Sequence, residues 1–234
     1  MKRNTPKGSV PPKTVFLFDV DNTLLDNDRI QADLREHLQS AYGAECRDRY
    51  ATILQQLWDT LGYRDYLGAL QRYRAEHPLH VELLAMSAWL LDYPFAERLY
   101  PGALQLLARL SRAAPVVILS DGDVVFQPHK VRRAGLADAV DGRVLIYIHK
   151  EQSLADVARR HPARHYVLID DKPRILAAVK QQWGPRVTTI LPRQGQYALA
   201  AAAAAVSPAP DRQVEHIAEL LTHDAHTLAN RNPP

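Results

Sequence analysis

The chain has 234 residues, enough for one large domain or for a core carrying a smaller insert. Its formal net charge of +3, without a block of lysine or arginine, gives no case for nucleic acid, and no apolar run approaches membrane-spanning length. One cysteine, Cys46, excludes an intrachain disulfide and fits a reducing, cytoplasmic setting, and ten histidines without zinc-type spacing give no structural zinc site.

Residues 1–12 carry Pro and Lys without a periodic apolar face and read as a disordered terminus. Thr14-Val15-Phe16-Leu17-Phe18 is rich in aromatic and β-branched residues, the pattern of a buried strand in a parallel sheet, and is too short for a signal-peptide core. The run ends abruptly in Asp19-Val20-Asp21-Asn22-Thr23-Leu24. Side chains alternate along a strand, so Asp19 and Asp21 can both point from its carboxyl end into one site. Such a pair suits a nucleophile with its proton-transfer partner, or a divalent metal site. Acids also follow strands as plain turn formers and helix caps.

From residue 29 to 99 the pattern turns helical. Leu34, Leu38 and Ala41 recur at helical spacing, as do Ile53, Leu57 and Leu61, and then Val81, Leu84, Ala85 and Ala88. Glycines 43, 62 and 68, with Pro78 and Pro94, punctuate the stretch. This is the composition of a helical bundle inserted between the first strand and the helix that begins at Pro101-Gly102-Ala103. Tyr63, Arg64, Tyr66, Tyr93 and Arg98 are its candidate substrate contacts, set against the commoner role of packing the bundle and facing water.

Three further apolar runs follow. Residues 115–119 lead into Ser120-Asp121-Gly122-Asp123, residues 144–148 into His149-Lys150, and residues 165–169 into Asp170-Asp171. Each precedes a segment of helical character, so a strand, a site residue and a helix repeat in order. Right-handed crossovers place all of these carboxyl ends along one edge of a single parallel sheet, an α/β, Rossmann-like core. Lys130 competes with Lys150, but only Lys150 has a strand before it. Ser120 could cap the next helix, and Asp170-Asp171-Lys172-Pro173 also reads as a helix start. His149 reads as structural. Residues 187–191 form a fifth strand, residues 200–205 a helix or connector, and residues 207–210 a linker. A short amphipathic helix with Val214, Ile217, Leu220 and Leu221 closes the core, and residues 223–234 read as a disordered tail. The core thus comprises residues 13–28 and 100–222, with the helical insert at 29–99.

The four motifs together resemble the haloacid dehalogenase-like hydrolase superfamily, specifically its aspartate-nucleophile phosphatases with a helical cap after the first motif. Asp19-Val20-Asp21-Asn22-Thr23-Leu24 is similar to the first motif, Ser120-Asp121-Gly122 to the second, Lys150 to the third and Asp170-Asp171 to the fourth. The resemblance implies an aspartyl-phosphate on Asp19, with Asp21 as general acid and base. It implies Mg2+ held by Asp19, the backbone carbonyl of Asp21 and a fourth-motif acid: Asp171 directly with Asp170 on metal-bound water, or the reverse. Lys150 would neutralise nucleophile and phosphate, while Ser120 and backbone N–H groups of Asp121 and Gly122 would bind phosphoryl oxygens. An Asp121 carboxylate would repel phosphate unless it points away. The implied substrate is a small soluble phosphate monoester, closed over by the cap. A phosphotransferase or phosphomutase shares this apparatus; a haloacid dehalogenase needs neither Asp21 nor a metal, and a non-catalytic phosphate-binding protein has no use for Asp21.

Overall fold

Strand β1 (Thr14–Phe18) lies near the middle of a six-stranded sheet, flanked by β2 (Val116–Asp121) and β4 (His165–Ile169). Outside them lie β3 (Val144–Tyr147) on one side, and β5 (Val187–Pro192) and β6 (Arg212–Val214) on the other. The order is β3-β2-β1-β4-β5-β6, and every neighbouring pair is parallel. The computed structural model describes residues 12–78, 83–201 and 206–230.

Burial on both faces explains why the strands read as unbroken apolar runs. Phe16, Phe18, Val116, Ile118, Val167 and Ile169 project into one core, while Val15, Leu17, Val117, Leu119 and Leu168 project into another. The first core is continuous with the helical insert, through Leu34, Leu38, Ile53, Leu57, Tyr73, Met86 and Leu90.

The insert consists of α1 (Asn27–Leu61), α2 (Tyr66–Glu76) and α3 (Leu83–Asp92). Asp26 caps α1 by accepting the Arg29 N–H at 2.9 Å, and Gly43 breaks the helix into two arms with φ 84°. Buried Tyr50 ties the second arm to α2 by donating its hydroxyl to the Tyr66 carbonyl at 2.8 Å. Two expected stripes are corrected. Ala41 is exposed beside the Gly43 break, and α3 buries Met86 and Leu90 while Ala85 and Ala88 face water. Larger side chains gain more from burial, and that decides which face turns inward. Val81 lies outside the described residues.

The remaining helices cover the sheet: α4 (Ala103–Ser111), α5 (Phe126–Arg133), α6 (Leu136–Ala139), α7 (Leu154–Arg160), α8 (Pro173–Trp183) and α9 (Gly195–Ala201). Beyond them two expectations change. Val214 belongs to β6 rather than to a helix, and only residues 217–222 coil, as a 3-10 helix. Asp211 sets this edge by accepting the Thr189 N–H and hydroxyl, both at 2.9 Å. The tail expected to be disordered from residue 223 instead forms α10 (Ala225–Ala229). Asp224 caps it by accepting the Thr227 N–H at 2.6 Å, and Leu228 is fully buried, so one anchor replaces a periodic face. The expectations for residues 1–11, 202–205 and 231–234 lie outside the described residues. Among the described residues no helix is long and apolar enough to cross a membrane.

Candidate active site

The chain leaves β1 through a turn that joins three parts of the molecule. Asp19 donates its N–H to the Ile169 carbonyl at 3.0 Å, extending the β1–β4 pairing by one residue. Asn22 adopts φ 59°, a conformation that asparagine tolerates, and its Oδ1 accepts the N–H groups of Asn27 at 3.0 Å and Asp28 at 3.1 Å. It thereby satisfies free donors at the start of α1. The Thr23 hydroxyl accepts the Asp171 N–H at 3.0 Å, fastening the first acid segment to the last.

Asp19, Asp170, Asp171 and Lys150 meet at the sheet's carboxyl edge, each no more than 1% exposed. The Lys150 ammonium pairs with Asp19 Oδ1 and lies 2.7 Å from Asp170 Oδ2. Burial alone would push this lysine down, but the Asp170, Asp19 and Asp121 charges override it and hold it well above its ordinary value. Burial pushes the Asp170 carboxyl up to about 6 against the pull of Lys150, and raises Asp171 well above its ordinary value.

Carboxylate oxygens of Asp19, Asp170 and Asp171 lie within 4.8 Å of one another. Among the described residues, Asp19 Oδ2 and both oxygens of Asp171 have no hydrogen-bond partner. Buried acceptors in that state carry a substantial desolvation penalty. An all-oxygen set of this size fits a hard divalent cation such as Mg2+.

Ser120 and Asp121 stand at the end of β2. The Ser120 hydroxyl accepts the Gln127 side-chain amide at 2.9 Å. Asp121 Oδ1 accepts the Lys150 backbone N–H at 2.7 Å, so this carboxylate is occupied in holding the Lys150 loop. Burial raises its pKa. Gly122 donates its N–H to the Tyr147 carbonyl at 2.9 Å, which corrects its expected role as a phosphate donor. Its importance is steric, since a Cβ there would come within 2.6 Å of Gln127 Cβ.

Lys130, set aside in favour of Lys150, is also in the site. It is 1% exposed, and its ammonium lies 2.6 Å from Asp21 Oδ1 and 3.4 Å from Asn27 Oδ1. Gln127, one turn earlier, brings its amide nitrogen within 3.4 Å of Asp21 Oδ2. Lys172 is a third cation: burial pushes it down, but the Asp19, Asp171 and Asp170 charges outweigh that and raise it. Sequence reasoning missed Gln127 and Lys172 and misplaced Lys130. The available signal was the spacing of Gln127 and Lys130, three apart on one helix just after the Ser120 motif.

The helical insert closes the other side. A Cβ on Gly62 would collide with the His149 ring, so the end of α1 rests on the residue before Lys150. Tyr66 is buried, with its ring 5.1 Å from Phe126. Burial and the nearby Asp21 charge raise its pKa. Tyr63 and Arg64 are half-buried. Tyr93 and Arg98 stand apart: the Tyr93 hydroxyl and the Arg98 guanidinium, at 3.0 Å, both engage Asp33 and serve the insert's own structure.

Residues 13–191 match the family model for haloacid dehalogenase-like hydrolases. A haloacid dehalogenase-like hydrolase from Burkholderia xenovorans LB400 is 57% identical, with TM-score 0.87, over 92% of this chain and 100% of that one. Two more distant structures share the fold. The HAD-hydrolase YfnB from Bacillus subtilis, bound to magnesium, is 18% identical with TM-score 0.60 over 90% of this chain and 98% of its own. The L-2-haloacid dehalogenase from Xanthobacter autotrophicus is 21% identical with TM-score 0.58 over 92% and 100%. No curated protein matches the chain.

Proposed function

The chain belongs to the haloacid dehalogenase-like hydrolases, and from that premise we propose that it is a magnesium-dependent phosphomonoesterase with Asp19 as its nucleophile. The observation that carries this reading is the buried Asp19, Asp170 and Asp171 set, with three carboxylate oxygens left unpartnered. Asp19, Asp171 and Asp170 would hold the ion with the Asp21 carbonyl. When bound, Mg2+ would neutralise these acids and the phosphate dianion. Magnesium is also the ion named for YfnB.

The chain's own groups account for the chemistry. Lys150 holds Asp19 Oδ1 and spreads positive charge over nucleophile and phosphoryl group. A carboxylate oxygen of Asp19 forms a bond to phosphorus while the bond to the leaving oxygen breaks, and Asp21 gives that oxygen its proton. Water then attacks the aspartyl-phosphate, Asp21 takes back a proton, and inorganic phosphate leaves with Asp19 restored. Ser120, whose oxygen is held by Gln127, would turn its hydroxyl hydrogen from the Asp121 carbonyl, 3.4 Å away, to a phosphoryl oxygen.

Dehalogenation has no use for Asp21 or for the unpartnered acids. The test is phosphate release from a panel of small phosphate monoesters, with magnesium and with chelator. Release that requires magnesium supports the proposal. Metal-independent halide release from haloacids, with no phosphate release, overturns it, and transfer to alcohol or sugar acceptors would make the protein a phosphotransferase.

A further inference from the structure

Lys130 is a buried charge for which the chemistry above has no use. An ammonium at 1% exposure loses its hydration, and a well-packed apolar residue would serve stability as well or better. Its acceptors, Asp21 Oδ1 and Asn27 Oδ1, both belong to the segment that follows β1. Gln127, on the same helix, approaches the other Asp21 oxygen and also holds Ser120. That helix is itself fixed: Asp123 accepts the Val125 and Phe126 N–H groups at 2.7 and 2.6 Å, and Phe126 packs on Tyr66 and Phe95.

We propose that Lys130, with Gln127 beside it, is a positioning residue that fixes the Asp21 carboxyl with Oδ2 turned toward the leaving-group oxygen. The inference rests on the phosphomonoesterase reading. Asp21 is the one acid of the first and last motifs with appreciable exposure, 24% for its side chain, and among the described residues its carboxylate is bonded by the side chains of Lys130 and, more distantly, Gln127. Lys150 is already taken by Asp19 and Asp170. The two lysines therefore divide the acid pair: Lys150 orients the nucleophile, and Lys130 orients the proton donor. As the bond from phosphorus to the leaving oxygen breaks, that oxygen takes the proton from Asp21 Oδ2 and leaves the carboxylate beside the Lys130 ammonium. In kcat/KM, which covers the steps up to loss of the leaving group, a misplaced Asp21 matters where the leaving group needs that proton. Its later role toward water is common to every ester and falls in kcat.

This gives a readout that a merely structural lysine would not move. Wild type, Lys130→Met, Lys130→Arg, Asp21→Asn and the Asp21→Asn/Lys130→Met pair are compared on 4-nitrophenyl phosphate, a good leaving group, and benzyl phosphate, a poor one. Lys130→Met is expected to lower kcat/KM about 100-fold or more on benzyl phosphate and less than about tenfold on 4-nitrophenyl phosphate. Lys130→Arg should recover at least about tenfold, and the double variant should lose no more than Asp21→Asn alone. An equal loss on both esters, or additive losses in the double variant, overturns the proposal. Crystal structures of wild type and Lys130→Met form the independent arm. Asp21 turned away from its wild-type position supports the role, and Asp21 unmoved overturns it. If wild type hydrolyses neither these esters nor any other, the phosphomonoesterase reading falls, and the crystallographic arm still decides whether Lys130 positions Asp21.

Discussion

Replacing Asp170 by asparagine should make the metal-free protein more stable, and only above a certain pH. Asp170 is fully buried; its Oδ1 accepts the Lys172 N–H at 2.9 Å and its Oδ2 lies 2.7 Å from the Lys150 ammonium. Burial nevertheless raises the carboxyl to about 6, while an unfolded aspartate titrates near about 3.9. A group raised on folding stabilises the fold fully below its unfolded value and loses that contribution as pH rises through the folded one. About two units at about 1.4 kcal/mol each amount to about 3 kcal/mol lost by about pH 7.5. Asp171, also raised by burial, steepens the same slope. Asparagine keeps an acceptor for the Lys172 N–H and carries no charge, although its amide nitrogen facing Lys150 trims the gain. Urea unfolding in chelator should therefore show a variant that matches wild type near about pH 4. The gap should open through about pH 6, reaching up to about 3 kcal/mol. His37 and His161, both lowered by burial, impose the opposite slope on each protein and cancel in the difference. Magnesium should narrow the gap by stabilising wild type, by about 2.7 kcal/mol at 100 times its Kd. A variant less stable than wild type at about pH 7.5, or a difference independent of pH, refutes the reasoning.

Lys150→Met should lower stability by about 3–5 kcal/mol at neutral pH, because it leaves Asp19 and Asp170 buried without their cation; urea unfolding reads it directly. Thr23→Val strips the Asp171 N–H of its acceptor and should lower unfolding free energy by about 1–3 kcal/mol while weakening magnesium-induced stabilisation, measured as the thermal shift on adding the ion. Leu228→Ala empties the anchor of α10 and should cost about 2–5 kcal/mol, whereas an unstructured tail would give no change in the unfolding midpoint.

What could be read from the residues follows where each element finds its partners. Strands β1, β2 and β4 were legible because both of their faces are buried, so local composition alone marks them. Asp19, Asp170, Asp171 and Lys150 were legible because each stands where such a run stops. β6 was not, since Arg212-Gln213-Val214 lies at the sheet edge with polar residues and owes its place to Asp211 and Thr189. Lys130 was misplaced because its burial is decided by Asp21, 109 residues away, and no local pattern records that pairing. The α10 tail is held by buried Leu228 and by Thr188 and Arg212, which donate to the Ala229 and Thr227 carbonyls from distant strands, so its anchors are not a local pattern.

The most direct test of the central claim is to quench the enzyme in acid during turnover of a phosphate ester and search its peptides by mass spectrometry for a phosphoryl group. The account expects the group on Asp19, present in wild type, absent from Asp19→Asn, and dependent on magnesium. Full turnover by Asp19→Asn, or a phosphoryl group on another residue, would contradict it.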